Sequence, residues 1–128
     1  MGNKILIIDD DIELIDAITM LLDAKGYEVI SAENGDDGCK KAKAENPDLI
    51  LLDVMMTKKT EGFDTVRALK DNAATKDIPI IMVTGIRKEM NLPFGFTPDS
   101  DFLPVKAVLE KPVKPEILLK LVQDNIRK

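Results

Sequence analysis

Apolar and polar positions alternate along this chain in blocks. Ile5–Ile8 is a short, continuous, β-branched run, the pattern of a strand buried on both faces. Ile12, Ile15, Ile18 and Leu22, flanked by Leu14 and Leu21, then recur at helical spacing. Lys25-Gly26 predicts the stop of that helix, with a basic last turn and a glycine. Tyr27–Ala32 predicts a second strand. Asn34 and Gly35 open a weaker helix reaching about Ala44, with Cys39 and Ala42 as its modest apolar face, and Asn46-Pro47 breaks it. Leu49–Leu52 is another fully apolar run and ends on Asp53. A helix through Phe63, Val66 and Leu69 follows. Ile78–Val83 predicts a fourth strand, entered through Pro79 and ending on Thr84, and Val105–Leu109 a fifth, leading to Lys111. Pro115 sits in the first turn of a last helix, where proline is tolerated, and Ile117, Leu118, Leu121 and Val122 form its expected core face.

A repeated β-α order implies a parallel sheet with helices on both faces. No repeat, linker or low-complexity tract interrupts the 128 residues, so one domain, 1–128, is expected. One segment departs from the rule. Gly85 to Pro104 falls where a fourth helix belongs, yet it holds Gly85, Pro93, Gly95, Pro98 and Pro104, and at most a short or distorted helix fits.

Composition narrows the function. The net charge of −5 argues against nucleic acid as a partner, because a phosphate backbone wants a basic face. No run approaches the ~20 apolar residues of a membrane span, and no basic-then-apolar leader opens the chain. Cys39 is the lone cysteine and fits a reducing compartment, so a cytoplasmic location is expected. Histidine is absent, which removes His-based acid–base work, a Ser/His/Asp triad and a His-ligated metal. Any chemistry falls to Asp, Glu, Lys, Thr and Ser.

Those residues stand at the strand ends. In open parallel sheets, ligands bind beyond the carboxyl ends of the strands. The first strand runs into Asp9, Asp10 and Asp11, the third delivers Asp53, the fourth Thr84 and the fifth Lys111. Asp11 is expected to cap the helix that follows. Three carboxylates, a hydroxyl and an ammonium thus converge on one rim. Like charges so close repel, and a hard cation such as Mg²⁺ relieves them. A cation, a hydroxyl and a lysine around one carboxylate suit the spread charge of a transferring phosphoryl group. The carboxylate can itself be the nucleophile.

The segments ILIIDDD, LILLDVMM around Asp53, PIIMVTG around Thr84 and LEKPVKP around Lys111 together resemble a receiver domain of two-component signalling, over essentially the whole length. The resemblance implies the CheY-like fold: five parallel strands in order 2-1-3-4-5 and five helices. It implies that Asp53 accepts a phosphoryl group from a histidine kinase or phosphotransfer protein. It implies Mg²⁺ held by Asp10, Asp53 and the carbonyl of Met55, with Asp9 acting through water. Thr84 would bond a phosphoryl oxygen, and Lys111 would pair with the phosphate. Such a domain is a signalling switch with limited self-phosphorylation and self-dephosphorylation, not a metabolic enzyme. With no room after residue 127 for an output domain, a stand-alone receiver signalling through a partner protein is expected, as a monomer or weak homodimer.

Three departures from the family pattern stand out. The loop after Asp53 lacks the usual proline and carries Lys58 and Lys59. Val108 occupies the place of an aromatic residue that usually rotates inward on activation. The interval from Thr84 to Lys111 is long and holds Phe94, Phe96 and Phe102. The segment 85–108 is therefore the expected switch or docking surface. Two rivals remain. One is a degenerate receiver that docks without turning over phosphate. The other is a haloacid-dehalogenase-type phosphatase using Asp9 and Asp11, which lacks the late acidic pair such enzymes carry.

Overall fold

A computed structural model of the chain describes residues 3–53, 61–84, 107–110 and 114–126, with side chains described for 3–53, 65–83 and 114–126. In chain order the elements are β1 (Lys4–Ile8), α1 (Ile12–Asp23), β2 (Glu28–Ala32), α2 (Gly35–Glu45), β3 (Leu49–Asp53), α3 (Glu61–Asp71), β4 (Ile80–Thr84), β5 (Ala107–Glu110) and α4 (Pro115–Asn125). The strands form one sheet in the order β2-β1-β3-β4-β5, every pair parallel. This is the expected CheY-like arrangement. The expected distorted helix between Gly85 and Pro104 falls outside the described residues.

The continuous apolar runs become strands because both faces of the sheet are covered. Even-numbered side chains of β1, β3 and β4 (Leu6, Ile8, Ile50, Leu52, Ile80, Met82) meet Ala42 of α2 and Val66 and Leu69 of α3. Odd-numbered ones (Ile5, Ile7, Leu49, Leu51, Ile81, Val83) meet Ile15, Ile18 and Leu22 of α1 and Leu118 and Val122 of α4. The period of two along a strand assigns alternate residues to opposite layers. Phe63 lies among the residues whose side chains are not described.

Several boundaries follow the local chemistry. Asp11 caps α1, its carboxylate accepting the Leu14 N–H at 3.2 Å. Asn34 caps α2 by accepting the Asp37 N–H at 2.8 Å. The α2 helix ends on Asn46 at φ 48°, a left-handed cap that asparagine tolerates better than most residues. Pro115 stands in the first turn of α4.

Three expectations need correction. The α1 helix has no basic residue in its last turn. It closes on Ala24, and Lys25 and Gly26 form the turn beyond, with Gly26 at φ 89° and the Tyr27 N–H returning to the Leu22 carbonyl. Ile12 is 56% exposed and Ile117 43%, so neither belongs to the core face of its helix. Both occupy a first turn. Ile78 and Pro79 are buried but precede β4, and Pro79 serves the sheet with its carbonyl, which accepts the Ile50 N–H at 2.9 Å.

Candidate functional site

The acidic rim forms where β1 and β3 lie side by side. Ile8 pairs with Leu52 in register, so the residues that follow stand at the same carboxyl edge of the sheet. Ile8 also pairs with Ala32 on its other side, and the Asp9 N–H extends that ladder by donating to the Ala32 carbonyl at 3.0 Å. Asp53 still belongs to β3 and pairs with Val83 of β4. The backbone of Asp9 is thus held from the β2 side and that of Asp53 from the β4 side. Carboxylate oxygens of Asp9, Asp10 and Asp53 gather within 4.8 Å of one another.

Burial differs within the trio. Asp9 is 2% exposed and Asp53 1%, whereas Asp10 faces solvent. Burying a carboxylate is costly unless it is hydrogen-bonded or meets a cation. Part of the compensation is local. One Asp9 oxygen, Oδ1, accepts the Asp11 N–H at 2.8 Å. Asp11 therefore has a second role that its reading as a cap missed, because a main-chain donor leaves no trace in side-chain identity. The trio offers several oxygens, two sides protein and one side open. That donor set fits a hard divalent cation that keeps part of its water shell, as Mg²⁺ does.

The sequence-predicted residues divide as follows. Asp9, Asp10 and Asp53 come together as expected. Thr84 is the last residue of β4, its backbone paired with Glu110 of β5, so it stands at the carboxyl edge of the sheet as expected; its side chain is not described. Val108 lies in β5, paired with Met82. Met55, Lys58, Lys59, Lys111 and the phenylalanines 94, 96 and 102 lie outside the described residues.

An open parallel sheet with an acidic cluster beyond its central strands defines an α/β domain whose cluster lies where such folds bind their ligands, at the carboxyl ends of the strands. A family profile described as the response regulator receiver domain matches residues 5–123, and the chain belongs to that family. Protein PilH of Pseudomonas aeruginosa is 36% identical over 119 residues, which cover 93% of each chain. Chemotaxis response regulator CheY4 of Vibrio cholerae superposes with a TM-score of 0.83 at 30% identity, over 98% of this chain and all of the other. The receiver domain of a sensor histidine kinase from Pseudomonas aeruginosa, solved with a magnesium ion coordinated in its active-site cleft, shares the fold at a TM-score of 0.80 and 23% identity, covering 98% of each chain. Transcriptional regulators are matched too, and of those the chain spans only about half the length, 41% to 53%. Receiver domains of two-component systems are signalling proteins that bind Mg²⁺ at an acidic site and interact with histidine kinases or phosphotransfer proteins and with downstream targets. Among the described residues, no helix is long and apolar enough to cross a membrane.

Proposed function

We propose that this chain is a phosphoacceptor switch in which Asp53 takes a phosphoryl group from a phosphohistidine of a kinase or phosphotransfer protein. The observation that carries this reading is the gathering of Asp9, Asp10 and Asp53 within 4.8 Å, with Asp53 almost wholly buried in the central strand β3. A carboxylate oxygen of Asp53 attacks phosphorus, the P–N bond of the donor breaks, and the imidazole leaves with the electron pair and is then protonated. The product is an aspartyl phosphate on Asp53 and a neutral histidine on the donor.

The residues of this chain divide the work. β3, paired on both sides, fixes Asp53 against recoil. Asp10, Asp53 and the carbonyl of Met55 would hold Mg²⁺, with Asp9 acting through water. When bound, that ion neutralises charge on the transferring group. Thr84 donates its hydroxyl to a phosphoryl oxygen, and the Lys111 ammonium pairs with the phosphate. The domain works as a switch in the cytoplasm, with a downstream protein engaged through residues 85–108.

Intact mass after incubation with acetyl phosphate tests this. The wild type with Mg²⁺ should gain one phosphoryl group, and Asp53→Ala, or the wild type stripped of Mg²⁺, should gain none. An adduct that survives in Asp53→Ala would overturn the assignment. A wild type that binds beryllofluoride but shows no adduct hydrolyses its phosphoaspartate quickly; one that binds neither is a docking module.

A further inference from the structure

Gly38 lies in the second turn of α2, where that helix crosses the end of β1. A Cβ built on it would stand 2.4 Å from Cδ1 of Ile8, 2.7 Å from Cγ1 and 3.2 Å from Cγ2. Real side chains do not come this close. Ile8 has nowhere to withdraw: it is fully buried and fixed in register between Ala32 and Leu52. Turning χ2 would free only Cδ1 and leave Cγ1 in conflict. A methyl group at position 38 must therefore lift α2, push on the end of β1 or turn Ile8 about χ1 inside a fully buried site.

The end of β1 is the site. Ile8 adjoins Asp9, whose N–H reaches Ala32 and whose Oδ1 receives the Asp11 N–H. A shift of a few tenths of an ångström at Ile8 has no flexible link in which to dissipate before it reaches Asp9 and Asp10. Meanwhile the glycine gives nothing to the helix itself. It is not at positive φ, and a glycine inside a helix costs about 1 kcal/mol relative to alanine. What it supplies is space.

We propose that Gly38 is a positioning residue for the acidic site. By carrying no side chain it lets Ile8 fill the gap between α2 and the sheet, and so sets Asp9 and Asp10 at the spacing a divalent cation requires. This rests on the cation-binding reading above, and the test separates the two.

The experiment compares wild type, Gly38→Ala, Ile8→Val and the double variant. Amide shifts and hydrogen exchange at Asp9, Asp10 and Asp11 are measured first without metal, then through a Mg²⁺ titration followed by calorimetry. Gly38→Ala should move the three amides, speed exchange at Asp9 and Asp11 about tenfold, and weaken Mg²⁺ binding about tenfold, the scale of a lost supporting contact around a metal ligand. Ile8→Val removes the nearest atom and lets the smaller side chain take another rotamer. Combined with Gly38→Ala, it should return Mg²⁺ affinity to within about threefold of wild type.

Gly38→Ala with wild-type amides and wild-type Mg²⁺ affinity overturns the proposal. Should Gly38→Ala not fold, the double variant decides. Wild-type affinity there supports the proposal, and a folded double variant still about tenfold weaker overturns it. A wild type that binds no Mg²⁺ sinks the cation reading, and the metal-free amides then judge Gly38 alone.

Discussion

Asp11 serves two partners with two different groups. Its carboxylate accepts the Leu14 N–H and starts α1, while its own N–H steadies Oδ1 of Asp9. Asp11→Ala removes the first contact and keeps the second. It should cost about 1 kcal/mol in urea unfolding while leaving Mg²⁺ affinity within about twofold of wild type. Cys39 is a quieter case. It is half-buried against the α2–α3 side of the core, and burial pushes its thiol above the ordinary value, with Lys43 pulling down and Asp36 pushing up more weakly. The native thiol therefore keeps its proton to higher pH than the unfolded one. Between those two values the unfolded chain binds fewer protons, so stability falls as pH rises through that window. Iodoacetamide at pH 8 should alkylate Cys39 several-fold more slowly in native protein than in urea. Equal rates would mean that the thiol is not sheltered.

At the scale of elements, the connection from α3 to β4 is closed by side chains rather than by regular structure. Lys70 Nζ donates to the carbonyls of Lys76 at 3.0 Å and Ile78 at 2.9 Å, and the buried Thr75 hydroxyl donates to the Leu69 carbonyl. This clamp sets where β4 enters the sheet. Lys70→Met keeps the aliphatic stem and loses the donors. It should cost about 1.5–3 kcal/mol, read as a lower urea midpoint with an unchanged slope. Nothing in the sequence announced the clamp, since an exposed-looking lysine gives no sign of which carbonyls its chain can reach. The strands were legible because short, continuous apolar runs such as Ile5–Ile8 and Leu49–Leu52 have one comfortable place, between two layers of helices. Asp9, Asp10 and Asp53 were legible for a related reason: charge directly after such a run has to sit at the sheet's edge. Ile12 and Ile117 misled because helical spacing marks a face but cannot say whether a neighbour covers its first turn. Gly38 could have been noticed as a glycine inside a helix with no cap or turn to justify it.

Across the whole molecule, the site is a store of repulsion. Carboxylate oxygens of three residues within 4.8 Å would repel one another when all are charged, and a bound cation would relieve that repulsion. Mg²⁺ at a hundred times its dissociation constant should raise unfolding free energy by about 2.7 kcal/mol, seen as a melting temperature that climbs with Mg²⁺. Asp10→Asn, at the exposed member of the trio, should stabilise the metal-free protein by about 1 kcal/mol and lose most of that climb. A metal-free Asp10→Asn less stable than wild type would show that the carboxylates do not oppose folding. The same strand order has a kinetic side. Asp9 and Asp53 meet only after β1 and β3 pair, a closure that also joins the Lys4 N–H to Asp48 across 44 residues. Strand pairing of that reach is slow to form compared with a helix. A nascent or half-refolded chain can hold every helix and still have no place for an ion. Capture of Mg²⁺ during refolding should thus lag behind the helical signal, and the cation would then act as an inspector that recognises only finished molecules.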